Sequence, residues 1–126
     1  MRYLGIDFGL RRIGFAISDG ELATPFTTID VKGVQNAVNA IVDLSVKEKI
    51  EKIIVGLPEG RFGNTVLGFI NALRKKGLDV ESADETLSSK KAIEKMLELN
   101  IPMKKRKVND SEAAAIILQE YLDNKK

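Results

Sequence analysis

An α/β fold built on a mixed five-stranded sheet is what this sequence predicts, and three features of the chain point to it. The first thirty residues hold three runs of strand character separated by short turns. From residue 33 onward, helical periodicity alternates with short apolar runs of the kind buried in parallel sheets. No repeat, low-complexity stretch or linker rich in Pro, Gly and Ser divides the 126 residues, so a single domain, 1–126, is expected.

The elements follow in order. Residues 2–8 and 12–18 read as strands joined at Gly9, Leu10 and Arg11, a connection short enough for an antiparallel hairpin. A third strand covers 22–30 after the Asp19-Gly20 turn, and Pro25 favours a sheet edge or a break there. Between 33 and 48 the period changes, and Val34, Ala37, Val38, Ile41 and Val42 give one apolar helical face. The run 52–56 is a fourth strand, closed by Leu57 and Pro58. Val66, Phe69, Ile70 and Leu73 define a second helix that stops near Gly77. A fifth strand over 78–83, a helix over 88–99 and a connector holding Pro102 come next. The last helix begins near Asn109 or Asp110 and runs to about 122, with Asn109 and Glu112 spaced as a capping pair. Ile116, Ile117 and Leu118 join the apolar positions of the second helix as expected core.

Bulk properties narrow the class. Hydrophobic content of 44% and charged content of 30% describe an ordinary globular protein. No apolar run approaches the roughly 20 residues that span a bilayer. The N-terminus lacks the basic and apolar regions of a signal peptide, and the absence of cysteine removes any disulfide framework. A cytoplasmic location and no membrane partner are expected.

The chain also has no histidine, which excludes Ser-His and Cys-His nucleophiles and zinc-type sites. Oxygen is left. Asp7, the Asp84-Glu85 pair and Asp110 are carboxylates that a fold can gather, and such clusters suit hard cations, Mg2+ or Mn2+. Basic clusters lie around them: Arg11 and Arg12, the 74–76 run, Lys90 and Lys91, and Lys104, Lys105, Arg106 and Lys107. Net charge is only +2, and a charge run is ordinarily a solvated face. Acid at the centre with base around it is nonetheless what a metal-dependent phosphodiester hydrolase needs.

If the strand order is 3-2-1-4-5, Asp7 ends the central strand and Glu85 follows a strand two places away. Neighbouring strands lie about 4.8 Å apart, so the gap is roughly 10 Å between backbones. Burying an Asp within an apolar strand is costly unless it is paired or metal-bound, and the bland alternative for Asp7 is a turn residue paired with Arg11 or Arg12. Glu85 and Asp84 exchange roles if the register shifts by one. Asp110 also suits a helix first turn simply by complementing the dipole, and Glu59 is a further candidate after the fourth strand. Residues 56–58 and 60–64 are expected to form a loop facing substrate, with Arg61 available to a phosphate and Phe62 either stacking on a base or packing beneath the loop.

Five segments, taken in order, resemble one family. They are Gly5-Ile6-Asp7-Phe8-Gly9, Arg12-Ile13-Gly14-Phe15-Ala16, Gly56-Leu57-Pro58, Asp84-Glu85-Thr86-Leu87-Ser88-Ser89 and Asp110-Ser111-Glu112-Ala113-Ala114. Each is weak alone; in register they are similar to the YqgF (RuvX-like) family of the ribonuclease H-like superfamily over almost the whole chain. The resemblance implies the strand order above, helices on both faces of the sheet, and a nuclease. That nuclease role has been described as maturation of the small-subunit ribosomal RNA precursor, and earlier as Holliday-junction resolution. It matches Asp7, Glu85 and Asp110 to the family's acids, hence to the catalytic and metal-holding positions. Thr86 stands where the family has Arg, and the contact of that Arg is either missing or supplied by Arg61, Lys90 or Lys91.

Three classes of function remain to be separated. A metal-dependent endonuclease on structured RNA leads, with branched DNA as its variant substrate. Symmetrical resolution of a junction calls for a homodimer, whereas a monomer suffices for RNA trimming. An actin-like kinase shares the Asp-x-Gly strand but needs two such domains. A ribosome-assembly module that binds RNA on precursor particles without cutting is the third.

Overall fold

The computed structural model describes residues 1–9, 11–57, 61–84 and 110–125. Three strands come first: β1 (Tyr3–Phe8), β2 (Arg12–Ser18) and β3 (Thr24–Asp30). Then α1 (Val34–Lys47), β4 (Lys52–Leu57), α2 (Arg61–Lys75) and β5 (Val80–Asp84) alternate, and α3 (Asp110–Lys125) closes the chain. The sheet has the order β3-β2-β1-β4-β5. β1 pairs antiparallel with β2 and parallel with β4, and β5 is parallel to β4. The expected order and the expected hairpin both hold.

Pro25 behaves as its chemistry demands. It cannot donate to a ladder, it lies on the edge strand β3, and the β2–β3 register shifts between Phe15 and Ala16, where Ala16 faces Pro25.

Two apolar layers sandwich the sheet. On one face, Leu4, Ile6, Phe8, Ile13 and Phe15 pack with Ala37, Val38 and Ile41 of α1 and with Val66, Phe69, Ile70 and Leu73 of α2. Phe8 and Phe69 stack with centroids 4.3 Å apart, and a buried side chain of this size contributes about 2–3 kcal/mol. On the other face, Tyr3, Ala16 and Ile54 pack with Ala114, Ile117, Leu118 and Leu122 of α3. α1 ends with Lys49 at φ 55° and Ile50 N–H donating to the Ser45 carbonyl at 2.9 Å. Gly77, at φ 86°, stops α2 as expected.

Several boundaries differ from the expectations. β3 starts at Thr24 rather than 22, and β5 spans Val80–Asp84 rather than 78–83, because the amide of Leu78 is taken by the carbonyl of Leu73 at the end of α2. Val34 is 41% exposed, so it is not on α1's inward face, and Ile116 is only half-buried. The stretch 61–64 is not a loop. α2 begins at Arg61, since the amides of a first turn need no intrahelical partner and a glycine at 63 weakens that turn little. The helix expected over 88–99, Asn109 of the capping pair and the 102–107 connector lie outside the described residues. Among the described residues no helix is long and apolar enough to cross a membrane.

Candidate active site at the end of the central strand

β1 lies in the middle of the sheet, and its pleat separates two kinds of residue. Leu4, Ile6 and Phe8 enter the core beneath α1 and α2, while Tyr3 enters the one beneath α3. Gly5 and Asp7 share the phase of Tyr3. Asp7 is therefore on the α3 face, half-buried, at the C-terminal end of the strand.

Asp110 reaches the same place from the far end of the sequence. Gly14 of β2 pairs directly with Asp7. A Cβ built on Gly14 would overlap the carbonyl of Asp110 and meet the amide nitrogen of Ser111 at 2.6 Å. Opposed residues of antiparallel strands have Cα atoms about 4.5–5.5 Å apart, so the Asp7 and Asp110 backbones lie within roughly 10 Å of each other. About one to two turns farther along α3 the approach is as close: a Cβ at Gly5 would stand 2.7 Å from Leu118 Cβ and 2.8 Å from the Ala114 carbonyl. Two glycines on neighbouring strands thus let the helix settle on the sheet and carry its first turn to the end of β1.

The electrostatics at this end are mixed. Asp110 and Glu112 occupy the first turn of α3, where the helix dipole favours negative charge. Arg12 Nε lies 3.5 Å from Asp110 Oδ2, with side chains 61% and 33% exposed. At that exposure the pair contributes about 1 kcal/mol at most, and much of the guanidinium faces solvent. Arg11 beside it is also exposed, and its carbonyl accepts the Val31 amide at 2.9 Å.

The parallel strands end at the same edge. Leu57 pairs with Asp84, and α2 opens at Arg61 directly after β4. Ala83 packs beneath α3, so odd positions of β5 share the face of Asp7. The edge formed by the carboxyl ends of parallel strands is where open α/β sheets bind ligands.

The donor set suits a hard divalent cation. Asp7 and Asp110 offer carboxylate oxygen only, they stand on one face, and both are partly open to solvent. Among the described residues no three acids form a metal-holding group. Glu85, the expected third, lies outside the described residues, as do Glu59, Thr86, Lys90, Lys91, Lys104, Lys105, Arg106 and Lys107. Asp84 ends β5. Gly14 was not expected as a positioning residue, although its alternation with Ala16 on β2 marks a face stripped of side chains.

Three comparisons bear on this site. The RuvX family model, described as a Holliday junction resolvase, matches residues 1–124. A protein of Caldanaerobacter subterraneus subsp. tengcongensis named "Putative pre-16S rRNA nuclease" is 40% identical, covering 100% of this chain and 99% of its own. One of the same name from Syntrophus aciditrophicus is 39% identical over 98% of this chain and 89% of its own. Among solved structures, T. thermophilus RuvC in complex with a Holliday junction substrate superposes with a TM-score of 0.60 at 16% identity, covering 99% of this chain and 95% of that one. The fowlpox virus resolvase bound to Holliday junction DNA gives 0.60 at 14% identity and 98% of each chain. At such identities the solved structures speak for the fold alone.

Proposed function

The chain belongs to the RuvX family, and on that footing we propose that it is a divalent-metal-dependent endonuclease acting on the precursor of 16S ribosomal RNA, at its 5′ end. The observation that supports it most directly is the approach of Asp110 to Asp7 across Gly14 at the end of the central strand. Two carboxylates from opposite ends of the chain, fixed at a ligand-binding edge without histidine or cysteine, suit metal-assisted hydrolysis better than any other chemistry this composition allows.

Asp7, Glu85 and Asp110 hold the cation, Mg2+ or Mn2+, with Asp84 and Glu59 as lesser candidates. When bound, such a cation supplies the positive charge needed by a phosphate oxygen and the attacking water. The residues themselves do the positioning. β1 fixes Asp7 along a rigid strand, and the Gly14 contact fixes the first turn of α3 against it. Arg12 orients Asp110 through their ion pair and offers the rest of its guanidinium to a neighbouring phosphate. Arg11, Arg61, Lys90, Lys91, Lys104, Lys105, Arg106 and Lys107 complete a basic rim for the nucleic-acid backbone.

Branched DNA is the second substrate to weigh, because the matching family model is described as a Holliday junction resolvase. The deciding experiment incubates the chain with a 16S precursor fragment and a four-way DNA junction in parallel, with Mg2+, with Mn2+ and with excess chelator. Metal-dependent cutting of the precursor is expected. Cutting of the junction alone transfers the activity to DNA. Undiminished cleavage in chelator, or RNA binding without cleavage under any metal, defeats the proposal.

A further inference from the structure

The edge strand β3 and the turn before it expose apolar side chains at the end of the sheet away from Asp7. Leu22 is 73% exposed and Phe26 is 45% exposed. With Ile17, Thr24 and Pro25 they line a groove of about 260 Å³, and Arg2 completes its wall. No charged residue occurs from Leu22 to Ile29, although edge strands are ordinarily protected by charge, lysine above all. Tyr3 pairs with Ser18 and Asp7 with Gly14, so the groove lies about four residues, roughly 13 Å, from the site acids along β1.

Leu22 is held in the open. Gln119 of α3 accepts the Ala23 amide at 2.8 Å and donates to the Glu21 carbonyl at 2.9 Å, so both neighbours of Leu22 are fixed to a helix. The Ser18 hydroxyl accepts the Gly20 amide at 3.0 Å and fixes the preceding turn. Apolar exposure in a loose loop means little; here dedicated hydrogen bonds present the side chain to solvent. Arg2 adds an independent observation. Its Nε is buried and has no hydrogen-bond partner among the described residues, while its other guanidinium nitrogens lie 3.2 Å from Asp19 and 3.3 Å from Glu48. An orphaned donor in the wall of a groove calls for an acceptor, and the carbonyl of an incoming chain is one.

We propose that this groove takes an extended, basic segment of a partner protein, with an apolar side chain of that segment seated between Leu22 and Phe26. Charge selects the occupant. Three carboxylates, Asp19, Glu48 and Glu51, converge on the side chain and amide of Arg2, and Glu21 stands exposed beside Leu22. Four acids against one arginine repel phosphate, which removes nucleic acid, and they attract Lys and Arg. A second copy of the chain fits no better, since a two-fold axis would turn this acidic rim upon itself. Pro25 cannot donate, and the strand register shifts opposite it, so the segment is held by the groove and its rim rather than by a continuous ladder. Proteins that lie on nucleic acid are basic because phosphate demands it, and that is the class of partner the groove fits. Docking there leaves the edge that carries Asp7 and Asp110 open, and it holds whether the substrate is RNA or DNA.

Selection from a random decapeptide display library on the full chain tests it, followed by fluorescence anisotropy of the enriched peptides at up to about 1 mM. Enriched sequences are expected to alternate Lys or Arg with apolar residues. Leu22→Ser should weaken their binding about 10-fold or more and Glu21→Gln about 3-fold, and added salt should weaken it further. Both side chains are exposed, so both variants should fold and cut a linear RNA as wild type does. Equal enrichment on Leu22→Ser, or enrichment of acidic or uncharged sequences, overturns the proposal. So does competition by single-stranded RNA, which assigns the groove to substrate, or a doubling of the mass of the free chain that Leu22→Ser abolishes, which assigns it to a second copy.

Discussion

The backbone carbonyl of Asp110 occupies the space that a side chain on Gly14 would need. Gly14 is the cross-strand partner of Asp7, so the distance between two acids 103 positions apart in sequence depends on a side chain that is not there. Packing and chemistry meet at one residue: whatever moves α3 off β2 also moves Asp110 away from Asp7.

Gly14→Ala is therefore expected to damage activity more than fold. Overpacking of a close helix–sheet contact costs about 1–3 kcal/mol, which thermal unfolding will show as a lowered Tm. Turnover measured well below that Tm should be lost almost completely, since the helix can accept the methyl only by shifting. Gly5→Ala, whose Cβ would meet Leu118 Cβ at 2.7 Å, should lower Tm comparably while keeping a larger share of turnover. Equal activity in the two variants at equal Tm would mean that Gly14 has no special relation to the site.

Asp7→Asn nearly preserves shape and removes one negative charge. It should abolish cleavage with Tm little changed. Asp110→Asn should do the same, and it also weakens the Arg12 pair, at a cost of about 1 kcal/mol or less. Glu59→Gln should be mild. Should Glu59→Gln prove as damaging as Asp7→Asn, the third acid has been misassigned.

Much of this was legible in the sequence, for identifiable reasons. The mixed sheet follows from short hairpin connections at the start and apolar runs between helical periods later on, and its strand order came with the family resemblance. Asp7 stood out because an acid within an apolar strand is expensive. The start of α2 was misplaced because Gly60 and Gly63 read as loop residues, while a first helical turn tolerates glycine. Val34 has helical phase with Ala37, Val38 and Ile41 but lies on the exposed side, and phase alone does not fix the width of a buried stripe. Glu85 could not be separated from Asp84 by pattern, since a one-residue shift reverses a strand's faces.

Lys52 should make a contribution to stability that is flat through neutral pH. Its ammonium lies 2.9 Å from Glu81 and 3.9 Å from Asp79, and the hydrogen bond to Glu81, outweighing desolvation, raises its pKa well above the ordinary lysine range. A raised value means stabilisation that is whole below the unfolded lysine value of about 10.4 and lost as pH climbs through the folded one. Lys52→Met should lower Tm by the same amount at about pH 7 and about pH 9, with the gap to wild type narrowing only above about pH 11. A gap that varies through neutral pH would contradict this assignment.

The basic rim separates into two tests by salt dependence. Arg12 is 61% exposed and already holds Asp110, so Arg12→Gln should cost little stability but reduce both affinity and turnover, because it touches substrate and orients a site acid. Lys104, Lys105, Arg106 and Lys107 contribute only through phosphates if they contribute at all. Each phosphate contact adds roughly 0.7–0.9 to the slope of log affinity against log salt. Neutralising all four should flatten that slope by up to about 3.6 units and weaken binding across sequences, while turnover at saturating substrate falls much less. In Arg12→Gln the slope should fall by about one contact, with turnover depressed even at saturation. A wild-type slope in the quadruple variant would mark the 104–107 run as a solvated connector, and saturation that rescued Arg12→Gln fully would reduce Arg12 to a phosphate contact with no part in orienting Asp110.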